Sequence, residues 1–164
     1  MRGGGLARGP YSVLAMALTY QKEKFADIMP ELPELFYENW AENEDPDLPL
    51  DIDWLKLLQV EAMGILHILT VRDEEKKLIG YFFSYIQTTT KFAKTKLAAS
   101  DAIFVRPGPN RGIAVRRLFE EAKKMSRDLG AKKLYIVVKA GSPVAKLLSL
   151  MKLELDEETF SCRL

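Results

Sequence analysis

Apolar residues recur along this chain with two periods, and the alternation between them sets out the elements. Leu32, Leu35, Phe36 and Trp40 repeat at helical spacing and predict a helix over Glu31–Asn43, with Pro33 in its first turn. Two prolines and three acids make Glu44–Pro49 a loop. Asp51 or Asp53 then caps a second helix from Trp54 to Met63, which Gly64 ends. Ala17–Lys22, Leu66–Arg72, Leu78–Gln87 and Leu97–Arg106 read as strands, the middle two joined by the polar turn Asp73–Lys77. Thr88–Lys96 is polar and basic, an exposed loop. In the strand Leu97–Arg106, strict alternation puts Ala99, Asp101, Ile103 and Val105 on one face and Ser100, Ala102 and Phe104 on the other.

Val115, Leu118, Ala122, Met125 and Leu129 form one apolar stripe of a further helix, stopped by Gly130. Lys133–Lys139 contains LYIVV, apolar on both faces, and is expected as a buried central strand. Ser142 and Pro143 start a short helix ending near Met151, and Leu153–Leu164 reads as a last strand or hairpin arm. Antiparallel strands followed by a βαβ-like unit predict a single α/β domain, with a mixed, mostly antiparallel sheet and helices on both faces.

Composition narrows the functional classes. The chain has 164 residues, about the size of one domain, and 48% of them are apolar. The first 15 residues are Gly-rich and free of acids, and read as disordered or as an extension upstream of a domain over residues 16–164. Tyr11–Leu18 is too short for a signal core with a clear cleavage site, and no apolar run reaches the roughly 20 residues of a membrane span, so a cytoplasmic location is expected. The single cysteine, Cys162, excludes an internal disulfide and is expected as a small core residue. The formal net charge of +1 hides an asymmetry: Glu23–Glu61 holds 12 acids and 2 bases, Ala62–Leu164 holds 19 bases and 11 acids. Solvated helix faces account for much of this. It also suits an anionic ligand on the C-terminal part and a cationic one near the acidic part.

The anionic ligand has a candidate seat in DAIFVRPGPNRGIAVRRLFEEAKKMSRDLG, Asp101–Gly130. A strand leads through a short loop into a helix whose first turn holds Gly112 and Ala114. Unpaired N–H groups and the helix dipole favour a phosphate there, and small residues let it approach. Arg111 and Arg116 lie in or near this cradle. An ordinary strand–turn–helix connection is the plain alternative.

With these elements in order, the chain resembles the GNAT superfamily, which transfers an acyl group from coenzyme A to an amine. The resemblance covers roughly Ala17–Leu164. Its most specific part is VRPGPNRGIAVRRLF, Val105–Phe119, which is similar to the superfamily's pyrophosphate loop. Aligned on Gly112 and Ala114, the family's usual Arg or Gln falls at Pro109 and its first small residue at Asn110. LGAKKLYIVVK resembles the strand that follows this helix in the family, and AGSPVAKLLSLMKLELDEETFSCRL its last helix and C-terminal strands. Leu148 stands where the family often has a tyrosine that protonates the leaving thiolate, and Lys152-Leu153 where it has a Gly-aromatic pair. The succession ELPELFYENW, PLDIDWLKLL, LIGYFF, AASDAIFV and LDEETFSCRL resembles GNAT-like proteins encoded by bacteriophages, which would put the protein in the host cytoplasm. Lys91-Phe92 replaces the His-Tyr pair that many of them carry.

The resemblance implies a splayed strand pair, Leu97–Arg106 against Lys133–Lys139, holding the thioester of acetyl-CoA as acyl donor. It implies main-chain contacts from Ile103, Phe104 and Val105, and a cofactor loop of Asn110, Arg111, Gly112, Ile113, Ala114, Val115 and Arg116. The acceptor would be a primary amine, either a protein lysine or a small molecule, and a homodimer is allowed. Asp101, a lone carboxylate between alanines in an apolar strand, is the candidate general base, with a structural Asp as the plain reading. Tyr81 and Tyr85 are candidate proton donors or core aromatics, and His67 a strand residue rather than a base. One histidine and no acid pair or nucleophile motif give metal and triad mechanisms little support. Two other readings stay open: a non-catalytic binding protein on the same fold, and nucleic-acid binding through Lys91, Lys94 and Lys96, the latter disfavoured by the near-neutral charge.

Overall fold

The computed structural model describes residues 17–164, so the expectations for the first 15 residues and most of Tyr11–Leu18 lie outside the described residues. In chain order the elements are β1 (Thr19–Glu23), α1 (Phe25–Ile28), a 3-10 turn (Met29–Glu31), α2 (Leu32–Asn43), α3 (Trp54–Ala62), β2 (Leu66–Arg72), β3 (Leu78–Gln87), β4 (Leu97–Val105), α4 (Arg111–Asp128), β5 (Leu134–Tyr135) and α5 (Pro143–Ser149). The strands form one sheet in the order β1-β2-β3-β4-β5. The first three pairings are antiparallel and β4–β5 is parallel.

Local chemistry sets the boundaries. Asp53 Oδ1 accepts from Lys56 N–H at 2.9 Å and starts α3, and Ser142 Oγ accepts from Ala145 N–H at 3.1 Å and starts α5. In the β2–β3 turn, Asp73 Oδ1 accepts from the N–H groups of Glu75 and Lys77. Gly130, at φ +87°, ends α4 in the left-handed conformation.

The sheet buries both faces. On one, α4 and α5 pack through Val115, Leu118, Ala122, Val144 and Leu148 onto Leu69, Val71, Phe82, Ile103 and Val105. On the other, α1, α2 and α3 cover Ile68, Leu78, Tyr81, Phe83 and Phe104. Phe25, Phe36 and Trp54 form an aromatic layer there, with Phe36 edge-on to Tyr81 at 5.3 Å between ring centroids.

Three expectations need correction. LYIVV is not a central strand: only Leu134 and Tyr135 pair with β4, at the sheet edge. The N–H of Val137 goes instead to Ser100 Oγ at 2.8 Å, so a side chain takes the place of the ladder and the chain diverges. Leu134, Ile136 and Val138 pack on the α4 side while Val137 is exposed, which explains apolar residues on both faces without central burial. Residues 153–164 form no strand; the two-residue β5 leaves too short an edge for further pairing. This segment is tied by ion pairs instead, Asp156 to Lys133 and Arg163 to Asp45 and Asp47. Cys162 lies in it and is exposed, not in the core.

At Gly80 there is no space for a side chain between β3 and β4. A Cβ built there would stand 2.8 Å from the carbonyl oxygen of Phe104 and 2.9 Å from Val105 Cγ2. Gly80→Ala is therefore expected to destabilise the fold by about 1–3 kcal/mol, the usual cost of overpacking. Urea denaturation measures this, and a wild-type midpoint would contradict it.

Candidate active site

The site grows out of an irregularity in β4. Pairing with β3 runs regularly from Gly80–Val105 to Phe83–Ala102, then slips so that Ser84 faces Ser100. Asp101 is the extra residue, a β-bulge. The bulge breaks the expected alternation. Ile103 and Val105 do face α4 and α5, but Asp101 does not share their side. It opens with Ala102 into a cavity beneath α2 and α3, on the face of Tyr81 and Phe83.

That cavity is about 150 Å³, walled by Phe36, Trp40, Leu50, Ile52, Leu57, Phe83 and Ala102, with Asp101, Tyr81, Asn39 and Glu44 as its polar members. Asp101 keeps solvent access, yet the apolar walls strip part of its hydration. This raises its carboxyl pKa above the ordinary value, against a smaller opposing effect from the Tyr85 hydroxyl, 3.4 Å from Oδ2. Burial and the Asp101 charge push Tyr85 up to about 12. Burial raises Tyr81 as well, and its hydroxyl accepts from Asn39 Nδ2 at 2.9 Å. His67 is taken by the Gly64 carbonyl, 3.1 Å from Nε2, and burial with nearby Lys22 lowers its pKa.

On the other edge of β4, pairing with β5 stops at Ala99–Tyr135. Arg106 N–H donates to Ile79 O. By antiparallel alternation Ile103 and Val105 then turn their own N–H and C=O groups away from β3, toward the parted edge. The side chains of Ile103, Phe104 and Val105 are all buried, so only main chain is presented there.

The loop after β4 delivers the chain to α4. Asn110 is the N-cap but makes no side-chain cap bond. Arg111 N–H bonds Gly108 O and Ala114 N–H bonds Asn110 O, whereas among the described residues the N–H groups of Gly112 and Ile113 have no protein partner. Ala114 and Val115 are buried and Ile113 is 70% exposed. Beside Gly112 there is room: a Cβ would meet only Leu147 Cδ2, at 3.6 Å. Arg116 points to solvent. Arg111 turns inward, paired with Glu42 and lying over the Phe104 ring at 5.7 Å.

Sequence reasoning missed what holds this loop. Glu34, Glu38 and Glu42 form one stripe of α2, and Glu31 continues it. Arg106 bonds both oxygens of Glu38 at 2.8–3.0 Å and also reaches Glu34, Arg111 takes Glu42, and Arg72 takes Glu31. The glutamate stripe of α2 is thus paired by arginines of β2, of the loop and of α4. The signal was legible as acids at i, i+4 and i+8.

No family model and no curated protein sequence matches the chain. Solved structures do match in shape. A ribosomal-protein-alanine N-acetyltransferase from Brucella melitensis biovar Abortus 2308 aligns over 90% of this chain and 99% of its own, with a TM-score of 0.66 and 16% identity. An aminoglycoside acetyltransferase from an uncultured soil metagenomic sample, in complex with sisomicin, covers 90% and 96%, with a TM-score of 0.68 and 15% identity. A predicted acetyltransferase from Clostridium acetobutylicum with acetyl-CoA covers 90% and 96%, with a TM-score of 0.64 and 13% identity. The fold is that of the GNAT acetyltransferases. Identities this low carry the fold and not the substrate. Among the described residues, no helix is long and apolar enough to cross a membrane.

Two outcomes follow from the GNAT-fold site. A carboxyl group whose pKa is raised by folding favours the folded state below its unfolded pKa and loses that contribution as pH rises through the folded value. Asp101→Asn is therefore expected to gain stability over wild type as pH rises through the carboxylate range, read as a growing difference in Tm from pH 3 to pH 8. A constant difference would contradict it. Glu42→Ala leaves the largely buried Arg111 guanidinium without its partner, and a loss of about 1–3 kcal/mol is expected in denaturant titration.

Proposed function

We propose that the protein is an N-acyltransferase that moves the acetyl group of acetyl-CoA to a primary amine. The observation that carries this reading is a single juxtaposition. A parted strand edge, an α4 start with two unpartnered N–H groups, and a desolvated carboxylate all adjoin residues 99–114. In this reading the pyrophosphate of acetyl-CoA lies against Asn110–Arg116, with Gly112 and Ile113 N–H as donors and Arg116 free to pair with its charge. The main chain of Ile103–Val105 holds the thioester and polarises its carbonyl. Asp101 takes a proton from the incoming ammonium, and the freed amine nitrogen attacks the carbonyl carbon. The tetrahedral species then expels sulfur and its nitrogen gives its remaining excess proton to water, leaving the amide, a thiolate, a protonated carboxyl and a hydronium ion. Leu148, at the position of the family's tyrosine, is 5% exposed and packed in the core, so that position supplies no acid for the sulfur. An alkyl thiolate, with a conjugate acid near pKa 8.5, can leave without one.

The buried Leu148 also favours a second reading, a binding protein that holds CoA without turnover. Calorimetry with acetyl-CoA, joined to thiol release over an amine panel, separates the two. Micromolar to low-millimolar binding with amine-dependent release of CoA is expected. Binding without release leaves the second reading, and no binding at millimolar concentration removes both. Gly112→Trp fills the open space over the first turn of α4 and is expected to abolish binding while the protein stays folded.

A further inference from the structure

The cavity under α2 and α3 is selective by construction. Its seven apolar wall residues outnumber its four polar ones, and two of those four are already engaged with each other. Asn39 gives Nδ2 to Tyr81 and receives Asn43 Nδ2 on Oδ1 at 2.7 Å. Trp40 gives its indole N–H to Leu48 O at 2.8 Å, so it offers only its ring. The carboxylates of Asp101 and Glu44 are what remain to receive a ligand's donors. The volume of about 150 Å³ is that of an apolar cavity that accepts benzene, or roughly five to six heavy atoms.

We propose that this cavity takes a monocationic amine on a short apolar chain, its ammonium at Asp101 and its carbons against Phe36, Leu57, Phe83 and Ala102. A hydroxylated amine fits badly there, because its hydroxyls would lie unpaired against ring faces. A lysine side chain, four methylenes and an ammonium, has the same dimensions. The assignment rests on the acyltransferase reading for the fate of the amine, but binding of the amine does not depend on it.

The test is the binding of the straight-chain amines from ethylamine to octylamine to the full chain, without acetyl-CoA, by ligand-observed NMR. Affinity is expected to rise about four-fold per methylene, the equivalent of 0.8 kcal/mol per buried CH2, and to level off near pentylamine. Glucosamine is expected to bind at least ten-fold more weakly than pentylamine. Asp101→Asn is expected to weaken the whole series without changing its slope, and Ala102→Leu to move the plateau one or two methylenes shorter. A flat series, or glucosamine binding as tightly as pentylamine, overturns the assignment. If either variant fails to fold, the wild-type series alone decides. Selective amine binding with no CoA release from acetyl-CoA would sink the acyltransferase reading and keep the cavity. CoA release with hydroxylated amines alone would do the reverse.

Discussion

The whole candidate site depends on β4 losing its regular partners on both edges within three residues. On the β3 side the register slips at Asp101. On the β5 side the ladder ends at Ala99, and Ser100 bonds Val137 by its side chain. A regular strand here would pair its main chain fully and send Asp101 into the apolar core covered by α4 and α5, where a buried carboxylate is costly. The bulge resolves that conflict. It moves the carboxylate to a partly wet cavity and parts the sheet beside it.

The parted sheet then has to be held, and α2 does this with charge. Its stripe of four glutamates, Glu31 to Glu42, receives Arg72, Arg106 and Arg111. Exposed ion pairs are weak singly, but Arg106 and Arg111 are mostly covered and Arg106 meets Glu38 through both oxygens. The pairing fixes both ends of the loop between β4 and α4. It also commits Arg111, which a reading of the loop alone would aim at a phosphate. In the proposed function, recognition at the α4 start falls to main-chain dipoles and to Arg116.

Most of the fold was legible because its elements announce themselves. The α2 stripe of Leu32, Leu35 and Phe36, the Asp53 and Ser142 caps and the aromatic run of β3 all fall where their patterns put them. LYIVV misled because two apolar faces signal burial on both sides, and the sequence does not say where a sheet ends. Leu153–Leu164 alternates like a strand but meets no edge long enough to join. Asp101 stood out correctly as a lone carboxylate, but its face could not be assigned, since a bulge is set by pairing across strands and leaves no mark in β4 itself. The cavity was invisible for a similar reason: its walls come from α2, α3, β3, β4 and the loop between α2 and α3.

Both tryptophans of the chain belong to this one region. Trp40 forms part of the cavity wall and Trp54 stacks on Phe25 and Phe36 behind it. The indole of Trp40 is pinned to the loop backbone at Leu48, so any shift of that loop moves the ring with it. The protein therefore carries its own optical gauge. Its tryptophan emission comes from the pocket wall and the aromatic layer behind it, and a change in the pocket's polarity or filling would colour the signal.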